Sequence, residues 1–168
     1  ETFPGERPGS SPDDSVPRDP IVLAERYQVL GLLGTGGMGS VYRVRDLQLD
    51  AVVALKLVRG DWSRPATVER FRQEVKLARR VTHRNVVRTF DVGTHGDERF
   101  VTLELVEGES LAAQIARDGR MGVAAALAVA RELAEGLAAA HAAGVLHLDL
   151  KPENVLVERA RALSADDP

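Results

Sequence analysis

The run Gly34-Thr35-Gly36-Gly37-Met38-Gly39-Ser40-Val41 fits G-x-G-x-x-G-x-V and lies between two segments, 27–33 and 40–46, that read as strands. A glycine cluster that joins strand to strand constrains the fold sharply. A dinucleotide-binding loop leads its glycines into a helix, and a P-loop follows them with Lys-Ser/Thr. Neither context exists here. Glycines take positive φ and admit close approach, so their N–H groups can face an anion. The same residues also suit a flexible hairpin. Three fixed glycines arise by chance in roughly a few per cent of chains this long, so the motif alone does not choose.

The surrounding pattern fixes the class. Residues 51–58 form a β-branched run, a third strand. From Pro65 the period changes: Val68, Phe71, Val75 and Ala78 are spaced 3, 4, 3, which predicts an amphipathic helix with Ser63 as cap and Pro65 in the first turn. Residues 86–92 and 99–106 read as two more strands around a turn at 93–96. Five strands and one inserted helix make an α+β lobe. Beyond Gly108 strands are expected to stop. Residues 110–117 predict a short helix ending at Gly119, and 123–143 an Ala- and Leu-rich helix ending at Gly144. That second helix is apolar on most faces and so expects cover on several sides.

Composition narrows the function classes. The chain has 168 residues and a net charge of −3, which argues against a nucleic-acid binder needing a basic face. It has no cysteine, so disulfides, thiol nucleophiles and cysteine zinc sites are excluded. The longest stretches without Asp, Glu, Lys or Arg, 121–130 and 136–148, fall short of the roughly 20 residues a membrane span needs. Five of eight prolines lie in the first 20 residues, and residues 1–25 are expected to form a disordered tail. The tail has no apolar h-region, so it is not a signal peptide. Absence of cysteine and of a span suggests a cytoplasmic protein. A first residue of Glu1 suggests a fragment or a processed product.

Two further motifs carry chemistry. Lys56 ends Val53-Ala54-Leu55-Lys56 on the third strand. It is either an edge lysine that snorkels to water or an ammonium aimed at phosphates. The second role needs a carboxylate to hold it. Glu74, beside core residue Val75, is the candidate, while Glu69 suits a solvated first turn. The third motif is His147-Leu148-Asp149-Leu150-Lys151-Pro152-Glu153-Asn154, followed by the apolar run 155–157. Its pattern, H-x-D-x-K-x-x-N, should occur by chance in roughly one chain in a thousand. His147 and His141 lack the i, i+4 spacing of a helical zinc site. His147 reads instead as a buried structural residue. His141 lies near a helix end, and His83 and His95 in loops.

With these three motifs in order, residues 27–157 resemble the first half of a eukaryotic-like (Hanks-type) protein kinase, closest to the bacterial serine/threonine kinases. The resemblance implies a small lobe at about 26–104 (a five-stranded antiparallel sheet plus one helix), a hinge at about 105–109, and a partial, mainly helical large lobe at 110–168. It implies ATP and Mg²⁺ as cofactors and a protein Ser/Thr hydroxyl as substrate. The backbone of Gly34, Thr35, Gly36, Gly37, Met38 and Gly39 would cover the phosphates, and Leu33 and Ser40 would belong to the same ATP-binding set. Lys56 would contact them and pair with Glu74. Val41, Ala54 and Leu156 would enclose adenine. Leu103 would be the gatekeeper, with the backbone of Glu104 to Val106 bonding the adenine edge. Asp149 would accept the hydroxyl proton, Lys151 would reach the γ-phosphate, and Asn154 would hold Mg²⁺.

Two departures qualify the resemblance. Leu148 stands where many kinases carry an Arg that pairs with an activation-loop phosphate. No D-F-G or A-P-E appears before Pro168. Asp166 and Asp167 lie near the expected distance for the D-F-G Asp, without Phe-Gly after them. The alternative reading is therefore a non-catalytic, pseudokinase-like ATP-binding or interaction module.

Overall fold

A computed structural model of the chain describes residues 20–37 and 39–159. Residues 1–19 of the expected tail, Met38, and the Asp166–Asp167 pair lie outside the described residues.

Six strands form one antiparallel sheet in the order β1-β2-β3-β4-β6-β5. They are β1 (Val22–Leu23), β2 (Tyr27–Gly36), β3 (Gly39–Asp46), β4 (Ala51–Val58), β5 (Thr89–His95) and β6 (Glu98–Leu103). Helix α1 (Pro65–Ala78) connects β4 to β5. The five-strand expectation needs one addition. β1 falls in the segment read as tail, where Leu23 is buried and Val22–Leu23 pairs with Tyr27–Gln28. The turn back into β2 places Ala24 and Glu25 at positive φ, 49° and 54°. Proline density overrode the short Ile21-Val22-Leu23 signal in the sequence reading. The strand expected at 86–92 begins at Thr89 instead. Ser63 does not cap α1. Arg64 occupies that position, and the Ser63 hydroxyl donates to Asp61 at 2.5 Å.

Strand alternation sorts the side chains onto two faces. Val44, Val53, Leu55 and Phe100 share the core face with Tyr27, whose ring meets Phe100 edge-on at 5.4 Å. β1 contributes Leu23 to this cluster. On the opposite face, Val41 pairs with Lys56, Lys56 with Val101, and Ala54 with Leu103.

Gly39 closes the β2–β3 hairpin at φ +135°, where a Cβ would collide with the Leu57 carbonyl oxygen. Neither backbone can yield without breaking the β3–β4 pairing. Gly39→Ala is therefore expected to lower stability by about 2–4 kcal/mol, read as a reduced urea midpoint.

Past residue 104 the strands do not stop. β7 (Gly108–Ser110) and β8 (Leu156–Glu158) form a two-stranded sheet around α2 (Leu111–Asp118) and α3 (Val123–Ala142). These three-residue strands pair across at least 45 intervening residues, from Ser110 to Leu156, so neither shows a period of its own. Ser110 caps α2 by accepting from Ala113 N–H, and Gly119 ends it at φ 80°. On α3 only Gly136 and Ala140 are buried, while Val123 and Leu127 are 78% and 65% exposed. The cover that this apolar helix expects is not supplied by the described residues.

The loop after α1 joins the sheet to α3. Asn85 Nδ2 donates to the Glu132 carbonyl at 2.7 Å, and Arg84 pairs with Glu135 at 3.2 Å. Gly136 permits this contact, because a Cβ there would lie 2.8 Å from the Asn85 carbonyl oxygen.

Candidate active site

The first part of the site is the sheet face opposite the core. In the hairpin, Gly34 faces Val41, Thr35 faces Ser40, and Gly36 faces Gly39. Gly34, Thr35, Gly36 and Gly37 are exposed, Ser40 is half-buried, and Leu33 is 52% exposed. The loop thus presents backbone rather than side chains. Val41, Ala54 and Leu103 form an apolar floor beside the Lys56 ammonium. Val101 lies opposite Lys56 on the same face and was missed by the sequence reading; the strand register is the signal that places it there.

The hinge backbone is partly occupied. Glu104 N–H donates to the Arg88 carbonyl at 2.9 Å, and the Glu104 carboxylate accepts Arg88 N–H at 3.1 Å. Of the edge groups expected to meet a base, the Glu104 N–H is therefore already bonded. Leu156 stands on β8, 46% exposed.

The expected Lys56–Glu74 pair is not made. Glu74 is exposed, and no ion pair joins it to Lys56 within 4.0 Å. The cause lies in how α1 packs. Val75 is its single buried residue, and Glu74, one position round the helix, turns to solvent. Adjacency to a core position therefore did not fix the direction of the carboxylate.

The second part follows α3. Asp149 N–H donates to the His147 carbonyl at 2.8 Å, turning the chain so that the carboxylate is met by two downstream residues. Lys151 Nζ lies 3.0 Å from Asp149 Oδ2. Asn154 Nδ2 donates to the Asp149 carbonyl at 2.8 Å and to Oδ2 at 3.0 Å. The single 3-10 turn Pro152–Asn154 makes this return possible. Hydrogen bonding from Lys151, then from Asn154, holds the Asp149 carboxyl below its ordinary range. Leu148, just before it, sits at φ 58° and is 90% exposed. A leucine in that region costs about 1–3 kcal/mol, a strain typical of residues that aim a functional neighbour. His147 is exposed rather than buried; its Nδ1 lies 3.4 Å from the Asp149 amide.

Among the described residues no group of three His, Asp or Glu is placed to hold a metal ion. The Asn154 amide oxygen is nonetheless a hard oxygen donor of the kind Mg²⁺ takes, one of the small number it needs from protein when phosphates and water fill the other positions. No helix among them is long and apolar enough to cross a membrane.

The sheet with an inserted helix, the glycine hairpin and the Asp149 loop define one class. The sequence profile of the protein kinase domain matches residues 27–167, and the chain belongs to that family. Within it, the chain is similar to bacterial serine/threonine-protein kinases. It is 43% identical over 143 residues to Pkn2 of Myxococcus xanthus, covering 84% of this chain and 17% of that protein. It is 42% identical over 132 residues to PknD of Mycobacterium tuberculosis, covering 78% and 20%. The kinase domain of PknI from Mycobacterium tuberculosis superposes with a TM-score of 0.76 at 26% identity, over 86% of this chain and 60% of that one. The chain thus spans about a fifth of the length of these curated relatives. Members of the family generally use ATP and Mg²⁺.

Proposed function

We propose that the chain carries the nucleotide-binding lobe and catalytic loop of a serine/threonine protein kinase, with lobes at about 26–104 and 110–168 and a hinge at 105–109. The observation that carries this reading is the Asp149 carboxylate, held ionised by Lys151 and Asn154 directly after α3. When bound, ATP with Mg²⁺ supplies the transferable phosphoryl group. The protein's share is positioning and charge. The glycine hairpin offers backbone N–H groups, Val41, Ala54, Leu103 and Leu156 form an apolar slot for the base, and Lys56 attracts phosphate oxygens. Asp149 accepts the proton of the attacking hydroxyl, and Lys151, two residues on, neutralises charge beside it. Asn154 would hold Mg²⁺ through its amide oxygen. We place the protein in the cytoplasm, which supplies ATP.

A second reading is favoured by one observation, the separation of Lys56 from Glu74. In it, the chain binds nucleotide without transferring phosphate. Incubation with γ-labelled ATP and Ser-, Thr- or Tyr-containing peptides tests both. The kinase reading expects label on Ser and Thr peptides and none on Tyr. Nucleotide binding with no transfer to any peptide would support the second reading.

A further inference from the structure

The sheet is attached to the second lobe on two sides of the slot. Behind it, the loop that leads into β5 is fixed to α3: Asn85 donates to the Glu132 carbonyl at 2.7 Å, and Gly136 lies against the Asn85 backbone. In front, Arg43 of β3 pairs with Glu107 at 3.2 Å. Arg43 lies opposite Ala54 in register and two residues beyond Val41, so it shares their face. It borders the slot on the side away from the glycine hairpin. β3 and β5 flank the β4–β6 pair that carries Ala54 and Leu103, so the two attachments stand on either side of the slot. Glu107 belongs with the second lobe: its carbonyl accepts the Arg159 N–H at 2.9 Å, and its neighbour Gly108 pairs with Glu158. The attachments differ in kind. The rear one is a close backbone contact, where even a Cβ at Gly136 would collide. The front one is a charge pair whose side chains are 46% and 68% exposed, the kind that opens readily. A firm attachment behind and a weak one in front favour rotation about the rear contact, which opens the slot at Arg43.

We propose that Arg43 and Glu107 form a latch across the front of the slot, and that its opening sets how fast a bound nucleotide leaves. The second half rests on the kinase reading; the first does not. Both are positioning residues, acting through the approach of β3 to the hinge. Their opposite charges supply the test. If each acted only through its field on an anionic nucleotide, Arg43→Gln would weaken binding and Glu107→Gln would strengthen it. A latch requires both to act in the same direction. The chain has no cysteine, so Gln48→Cys and Ala116→Cys, at exposed positions in the β3–β4 turn and on α2, take one spin label each. Pulsed dipolar spectroscopy without nucleotide should give a longer, broader distance distribution in Arg43→Gln and in Glu107→Gln. The exchange of Arg43→Glu with Glu107→Arg should restore the original one. NaCl at about 1 M should broaden the original distribution and leave those of the single variants unchanged, because it screens the pair. Release of a fluorescent ATP analogue, chased with ATP, should be about two- to fivefold faster in both single variants and return to the original rate in the exchange. Distances unchanged in the single variants would overturn the latch. Slower release in Glu107→Gln, the field result, would overturn its effect on the nucleotide. Distances that respond in a chain that binds no ATP analogue would support the latch and refute the kinase reading.

Discussion

Replacing Asp46 by alanine is expected to lower the unfolding free energy by about 3–5 kcal/mol. The residue is only 3% exposed. It accepts two bonds from Arg26 and two from the turn amides of Gln48 and Leu49. Removing it leaves those amides without an acceptor and the Arg26 guanidinium, 4.9 Å over the Tyr27 ring, without its main counter-charge. The hydrogen bond from Arg26 is the chief reason that the Asp46 carboxyl is held below its ordinary range. A depressed folded value means that the stabilisation is fully present above the unfolded carboxyl pKa of about 4 and is lost as pH falls through the folded value. Urea denaturation should therefore show a wide gap between wild type and Asp46→Ala at neutral pH that narrows below about pH 4. A loss under about 1 kcal/mol at neutral pH would contradict the role assigned to this ion pair.

Asp149→Asn is expected to slow phosphoryl transfer by about 10²–10⁴-fold, the usual worth of a positioned proton acceptor. The amide keeps the shape but not the charge that Lys151 and Asn154 hold ionised. Because the carboxyl lies below its ordinary range, the acidic limb of the wild-type rate should fall below about pH 4, leaving activity flat through the neutral range. The affinity for ATP should hardly change, since Asp149 acts on the hydroxyl. A variant that transfers phosphate within tenfold of wild type would remove Asp149 from the mechanism.

Much of this was legible from residue order. The strand pattern and the change of period at Pro65 located β2, β3, β4 and α1, and the spacing from Asp149 to Asn154 placed their side chains within one turn. What escaped depended on long-range pairing. β7 and β8 are three residues each and exist only through each other. β1 is two residues, secured by Leu23 entering the core. Glu74 shows a different limit. Helical periodicity gives the buried stripe to within one position, and one position is about 100° of rotation, enough to turn a carboxylate from sheet to solvent. The exposure of His147 and the positive φ of Leu148 are turn geometry, which neither residue type announces.

Nucleotide binding at the Lys56 face, on which transfer to the hydroxyl at Asp149 depends, is tested most directly by calorimetric titration of the chain with ATP and Mg²⁺, using AMP as control. The expected result is saturable one-site binding, weaker for AMP, reduced about tenfold or more by Lys56→Ala and unchanged by Glu74→Gln, because only the lysine faces the floor of Val41 and Ala54. Equal binding of ATP by wild type and Lys56→Ala, or the same affinity for AMP as for ATP, would contradict it.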